Sequence, residues 1–431
     1  MVPNSPEKKT GPVGEAARRL GQMATTTRRK TMPRRIGPRP LGLHLAGTLS
    51  TWLSLPIVWN GWKNGLPGLN PEAKNRLENL RAQADSNPEF SQALAAAAIA
   101  RARRLLGGIK TYRDHPAHRR GTEAPIIWQR GTTRLRDFNS SKPDAPRILI
   151  IPSLVNRFDI LDLDTHHSFL RTLTASGMRP LVVDWDVPGE SEALFGLGDY
   201  VTERLAPVLD FLDAAHKPVS IVGYCMGGNL ALGLATLRPR EIRSLALLAT
   251  PWDFHRPDPV LGPHFLALAA EMEPVLSRLG HLPVDIIQTL FANLQPTLVM
   301  TKFSDFAALN PASAEARHFV LCEDWLNDGV PLTAPVAREC LRDWYGNNLP
   351  GRLEWRIAGR PVDPKSLTMP SYIVVPGKDR IVPPESALPL ARLLPHASLH
   401  EPMTGHIGMF ASLRAPQYIW ASLAGWLEKH N

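Results

Sequence analysis

Only three cysteines, Cys225, Cys322 and Cys340, occur in 431 residues. They are too few and too scattered for a disulfide framework, and no CxxC pair or Cys/His cluster has the spacing of a zinc site; a reducing cytoplasm fits such usage. No P-loop and no G-x-G-x-x-G after a strand is present, so neither a nucleotide nor a metal cofactor is expected. The N-terminus lacks the uninterrupted apolar core of an export signal. Aromatics are also missing from its basic stretch, which excludes a base-stacking platform and leaves nucleic acid off the list of expected partners.

What is there is unevenly distributed. The net charge of +9 is concentrated in residues 1–40, where Lys8, Lys9, Arg18, Arg19, Arg28, Arg29, Lys30, Arg34 and Arg35 crowd among prolines. That stretch has no hydrophobic periodicity and is expected to be a disordered basic tail, either a solvated arm or a contact for anionic lipid or an acidic partner. From Leu41 to Trp62 the chain is apolar but interrupted by His44, Thr48, Ser50, Thr51, Ser54, Pro56 and Asn60. It makes a poor transmembrane helix; packing on the main domain is favoured over an interfacial position marked by Trp52, Trp59 and Trp62. Pro71 to Gly107 turns alanine-dense and helical, so residues 41–120 are read as an N-terminal helical region.

From about Ile126 short apolar runs alternate with helical segments, the signature of an α/β fold with a mostly parallel sheet. Strands are expected at Arg147–Pro152, Pro180–Trp185, Val219–Tyr224, Leu245–Ala249, Tyr372–Pro376 and, last and short, Ala397–Glu401. Short strands vanish over residues 251–359, where helical segments around Phe265–Leu279 and Val336–Tyr345 suggest a cap inserted into a domain of residues 121–431. Such a cap would cover the carboxyl end of the sheet, where open α/β folds bind ligands.

The sharpest local pattern is Gly223-Tyr224-Cys225-Met226-Gly227-Gly228, between an apolar strand and a helix-compatible run. It has the form of a nucleophile elbow, G-x-S-x-G with cysteine at the centre, and a helix N-terminus behind a thiol favours the thiolate. In α/β-hydrolases the acid and then the histidine follow the nucleophile. Asp379, just past the strand YIVV, and His406, after the last strand, stand in that order. An imidazole there can take and return a proton, and a carboxylate behind it can hold the correct tautomer. The oxyanion hole is expected from the backbone N–H of Met226 and one amide in the loop 153–157, assigned to Val155 with its neighbours left open. Cys322 and Cys340 lack such a setting and are read as structural, as is Asp184; His166, His167, His255 and His264 lie near the same face, but none follows the final strand.

With these residues in hand the chain resembles the polyhydroxyalkanoate synthases, from about Gly121 to the C-terminus. The likeness rests on Pro152-Ser153-Leu154-Val155-Asn156-Arg157 with Ile160-Leu161-Asp162-Leu163, Val183-Asp184-Trp185, the cysteine elbow with Asn229, and Thr250-Pro251-Trp252-Asp253-Phe254. It continues through Gly359-Arg360-Pro361-Val362-Asp363, Lys378-Asp379-Arg380-Ile381-Val382-Pro383-Pro384 and Gly405-His406-Ile407-Gly408. The resemblance implies an α/β-hydrolase fold in which Cys225 attacks an (R)-3-hydroxyacyl-CoA, with His406 as base, releasing coenzyme A and extending a polyester. Its partners would be the hydroxyacyl-CoA substrate, the growing polyester, a second synthase subunit or a homodimer, and a granule or membrane surface, with a cytoplasmic, granule-associated location. Arg380 stands where members often carry histidine. The competing readings are a hydrolase with the same triad (esterase, thioesterase or polyester depolymerase) and a non-catalytic granule-surface protein.

Overall fold

A computed structural model describes residues 35–63, 89–119, 121–256, 258 and 260–431, with residues 78, 81, 84 and 87 between. The basic tail therefore lies outside the described residues up to residue 34, as do Pro257, Pro259 and most of the stretch between residues 64 and 88. The chain divides into two compact units, one of residues 119–287 and 328–431, the other of 32–118 and 288–327. The inserted segment expected as one cap over 251–359 is thus split: its ends belong to the first unit and residues 288–327 to the second.

The first unit is built on an eight-stranded sheet: β1 (Ile126–Arg130), β2 (Thr133–Asp137), β3 (Arg147–Ile151), β4 (Arg179–Asp184), β5 (Val219–Tyr224), β6 (Ile242–Leu248), β7 (Ser371–Val374) and β8 (Ala397–His400). Their order is β1-β2-β4-β3-β5-β6-β7-β8. The strands from β3 onward pair in parallel, and every residue of β5 is buried. Central parallel strands are covered on both faces, which is why they read as unbroken apolar runs rather than alternating ones. The antiparallel hairpin β1–β2 was not placed from sequence: its Arg-rich strands sit at the sheet edge, and Gly131 makes the turn with φ +60°. Asp184 ends β4 with its carboxylate on Arg136 Nε at 2.7 Å.

The α/β-hydrolase fold thus has its helical additions at two places in the chain. Within the first unit, helix Leu261–Leu279 is followed by a short ribbon pairing His281–Leu282 with Leu332–Thr333, then by helix Ala334–Arg338, which runs into a wider π-type turn over Glu339–Gly346. An aromatic chain ties these to the sheet end: Trp252 meets Trp355, Trp355 meets Trp344, and Tyr345 lies between Phe254 and Phe265 at 4.8 and 4.5 Å.

The second unit is helical. Phe90–Asp114 packs against Leu298–Phe306 so closely that a side chain on Gly108 would meet the Phe303 carbonyl oxygen at 1.9 Å. Leu105, Ile109, Tyr112, Phe303, Phe306, Ala316 and Val320 form its core. Arg35 pairs with Asp324 at 2.6 Å, and Tyr112 donates its hydroxyl to the same carboxylate.

The apolar stretch from Leu41 is one unbroken helix, Leu41–Lys63, which runs through its polar residues and Pro56. The polar groups are satisfied locally: Thr51 Oγ1 donates to the Gly47 carbonyl at 2.7 Å and Ser54 Oγ to that of Thr51, the back-bonding available to hydroxyls in helices. By length and composition alone residues 41–61 could cross a membrane, and only 6% of the most apolar window is buried. Within the second unit one side of the helix, through Leu41, Leu45 and Trp52, lies on that unit's core, and among the described residues the other side is exposed.

Candidate active site

Cys225 sits at the junction of β5 and helix Met226–Leu237 with φ 55° and ψ −128°, a conformation that is costly for any side-chain-bearing residue. The strain falls on the cysteine, while the glycines solve a problem of space. A Cβ on Gly227 would meet the Ile151 carbonyl oxygen at 2.1 Å, one on Gly228 would meet Thr250 Oγ1 at 1.8 Å, and one on Gly223 would meet the Gly228 Cα at 2.5 Å. The helix can therefore start only where its first turn is bare, and that start aims its free N–H groups at the thiol.

The residues expected behind the nucleophile are brought to it. His406 Nδ1–H donates to Asp379 Oδ2 at 2.7 Å. The other oxygen of Asp379 accepts the backbone N–H groups of Ile381 and Val382 at 2.8 and 2.9 Å, so the carboxylate is held in a tight turn without recourse to Lys378 or Arg380. Both side chains are buried. Burial works against a charge on the His406 ring, but the Cys225 sulfur on one side and Asp379 on the other outweigh it and push its pKa up to about 10. The arrangement holds an imidazolium between sulfur and carboxylate.

Tyr224, the residue before the nucleophile, was not singled out from sequence. Its ring lies 5.1 Å from that of His406 and 4.9 Å from Phe410, and its hydroxyl donates to the His406 carbonyl. It is a wall that fixes the imidazole. Other histidines near this face have other partners: His255 meets the Tyr345 carbonyl and His264 that of Val260, while His167 stacks on Trp420. Among the described residues no group of three potential metal ligands occurs.

The loop carrying Val155 is clamped from two directions. Val330 N–H donates to the Val155 carbonyl at 2.9 Å, and Asn156 bridges to Gly329. Arg157 pairs with Asp186 at 2.8 Å and Asp328 at 3.1 Å, and Trp185 Nε1 donates to the Pro152 carbonyl. This support was not legible in sequence because its members lie up to 175 residues apart, from Val155 to Val330, although Asn156 and Arg157 belong to a motif.

Burial, with Glu339 and Asp343 adding, pushes the Cys340 thiol of the π-type turn well up, and burial also raises the Tyr345 phenol. Cys340, read from sequence as structural, is buried there. Cys322 lies in the second unit beside His318.

Comparison with known proteins agrees with this geometry. A model of the α/β-hydrolase fold matches residues 146–412. A poly(3-hydroxyalkanoate) polymerase subunit PhaC of Haloferax mediterranei is 28% identical over 72% of this chain and 64% of its own length. The proteins of the same description from Allochromatium vinosum and Synechocystis are 27% and 28% identical, over 65% and 66% of this chain and 80% and 78% of their own lengths. The chain thus spans somewhat under two thirds of the Haloferax relative and about four fifths of the other two.

Proposed function

We propose that the chain, which belongs to the α/β-hydrolase fold family and is similar to the poly(3-hydroxyalkanoate) polymerase subunits, polymerises (R)-3-hydroxyacyl-CoA into polyhydroxyalkanoate through an acyl-thioester on Cys225. The observation that carries the reading is that a cysteine, rather than a serine, occupies the strained elbow and faces an imidazole backed by Asp379.

The chemistry follows from the charges. The sulfur attacks the thioester carbonyl carbon with its proton taken by His406. The carbonyl oxygen gains the negative charge and is received by the Met226 N–H and one amide of the loop 153–157, with Val155 assigned. Collapse breaks the bond to the coenzyme A sulfur, which leaves with the proton from His406. Acylation takes the sulfur away from the ring, and with it the first influence that raises His406, while burial of the ring remains. His406 then reverts to a neutral base, able to take the proton of a 3-hydroxyl. That oxygen attacks the acyl-cysteine, the new ester forms, and the sulfur is regenerated. Thioester-to-thioester exchange is nearly balanced in free energy and leaves an acyl group reactive enough for an alcohol. The aromatic wall from Trp252 to Phe265 excludes water that would otherwise hydrolyse the intermediate.

The test is a product assay. Purified protein given (R)-3-hydroxybutyryl-CoA is expected to release coenzyme A and accumulate polymer, and Cys225→Ala to do neither. Free 3-hydroxybutyrate appearing in step with coenzyme A would replace the polymerase by a hydrolase. Unchanged cellular polyester in a Cys225→Ala strain would favour a non-catalytic surface protein.

A further inference from the structure

We propose that helix Leu41–Lys63, together with the basic segment before it, seats the second unit on the surface of an anionic phospholipid bilayer, lying in the interface rather than spanning it. Three observations converge. First, residues 41–62 contain no Lys, Arg, Asp or Glu, and the uncovered side of the helix presents Leu43, Ala46, Ser50, Leu53, Ile57 and Val58; Ile57 is 73% exposed and Leu53 53%. Positions 43, 46, 50, 53 and 57 recur at three- and four-residue spacing and Val58 lies beside Ile57, so they share one side, which is apolar except at Ser50. An apolar stripe of this length on a water-facing helix marks a surface with an occupant.

Second, the opposite side is taken. Leu41, Leu45 and Trp52 rest on the core of Leu105, Ile109 and Phe303, and Trp59 lies 4.9 Å from Phe90. A helix packed along its length on a partner that exposes Arg101, Arg103 and Arg104 cannot be ringed by lipid, so its geometry suits immersion of one face only. Third, the charge is matched to one surface. Residues 1–40 carry ten Lys and Arg against two Glu, a net of +8 of the chain's +9. Basic residues flanking an interfacial helix each add on the order of 1 kcal/mol at an anionic lipid surface; a neutral apolar surface would gain nothing from them.

Full-length protein is to be sedimented with sucrose-loaded vesicles of phosphatidylcholine mixed with phosphatidylglycerol and, separately, of phosphatidylcholine alone. Binding is expected to the anionic vesicles, with loss as salt is raised. Leu53→Glu with Ile57→Glu, both at exposed positions, should weaken it at least about tenfold with the circular dichroism and coenzyme A release unchanged. Replacing Arg28, Arg29 and Lys30 by Gln should weaken it to a lesser degree. Equal sedimentation with both vesicle types, or full binding by the double glutamate variant, would overturn the proposal. So would a concentration-dependent dimer that the same variant abolishes in the absence of lipid, since a second copy would then be the occupant.

Discussion

The elbow at Cys225 and the helix at Leu41 break opposite rules of sorting. Around Cys225, ionisable groups stand in the interior, and each is held: His406 by Asp379, Asp379 by two backbone N–H groups, Arg157 by two carboxylates. Along helix 41–63, apolar side chains stand in water and nothing described holds their outer side. Buried charge without partners and exposed apolar surface without cover are both unfavourable. In the first region the protein resolves the conflict internally, at the cost of a strained nucleophile. In the second it leaves the conflict open, and resolution must come from outside the chain.

If the partnership around Cys225 is what makes the site work, removing one partner should matter far more than the small volume changed. Asp379→Asn keeps the turn and the shape but loses the charge behind His406. By analogy with carboxylates that orient a catalytic imidazole, kcat for coenzyme A release should fall by about 10⁴, with native circular dichroism retained. A fall of less than about tenfold would mean that the carboxylate only shapes the turn.

The packing side of the comparison is sharpened by two alanines next to each other. Gly228→Ala drives a methyl group into the side chain of Thr250, whereas Gly227→Ala drives one into the backbone of Ile151 and Pro152. Overpacking of this kind costs about 1–3 kcal/mol or more. Thr250→Ala, which removes the Oγ1 and Cγ2 but keeps the Cβ at 2.8 Å, should therefore restore part of the stability to Gly228→Ala and do nothing for Gly227→Ala, as read by urea unfolding. Rescue of both would show that the elbow has slack that the close approaches deny.

How much of this was legible beforehand divides along the same line. The six strands from Arg147 to His400 could be read because buried parallel strands need unbroken apolar runs, and the pairing of His406 with Asp379 because the expected chain order put both at the sheet's carboxyl end. The clamp of Arg157 on Asp186 and Asp328 comes from residues far apart in sequence that only the folded chain joins. The hairpin Ile126–Asp137 escaped because an edge pair rich in Arg lacks an apolar run. Helix 41–63 could be read as a helix but not its lining, because which side packs on the second unit depends on residues around Leu105 and Phe303 that lie far along the chain.

A smaller effect lies in the turn above the site. Burial, with Asp343 and Asp199 adding, raises the Glu339 carboxyl to about 7, while its bond from the Leu197 N–H and the charge of Arg342 pull the other way. A carboxyl whose folded pKa exceeds its unfolded one stabilises fully below the unfolded value, near 4.5, and that contribution is lost as pH rises through about 7. Allowing for partial solvent access, the loss across this window should be about 1–2 kcal/mol. Glu339→Gln should flatten the stability profile between pH 4.5 and 7 in urea titrations, and an unchanged slope would assign the dependence to other groups.

The smallest effect is expected where apolar side chains face outward. Leu53→Asn removes about half a kcal/mol or less of stability from a surface position, because its outer side contributes no packing that unfolding would lose. The same substitution at Leu105, buried in the core of the second unit, should cost several times more, on the order of 3 kcal/mol or above. The ratio of the two, measured by thermal unfolding of the full chain without lipid, separates a helix face awaiting an occupant from one already packed. Should Leu53→Asn cost as much as the core change, the stripe is covered within the protein, and the contrast between the two regions closes.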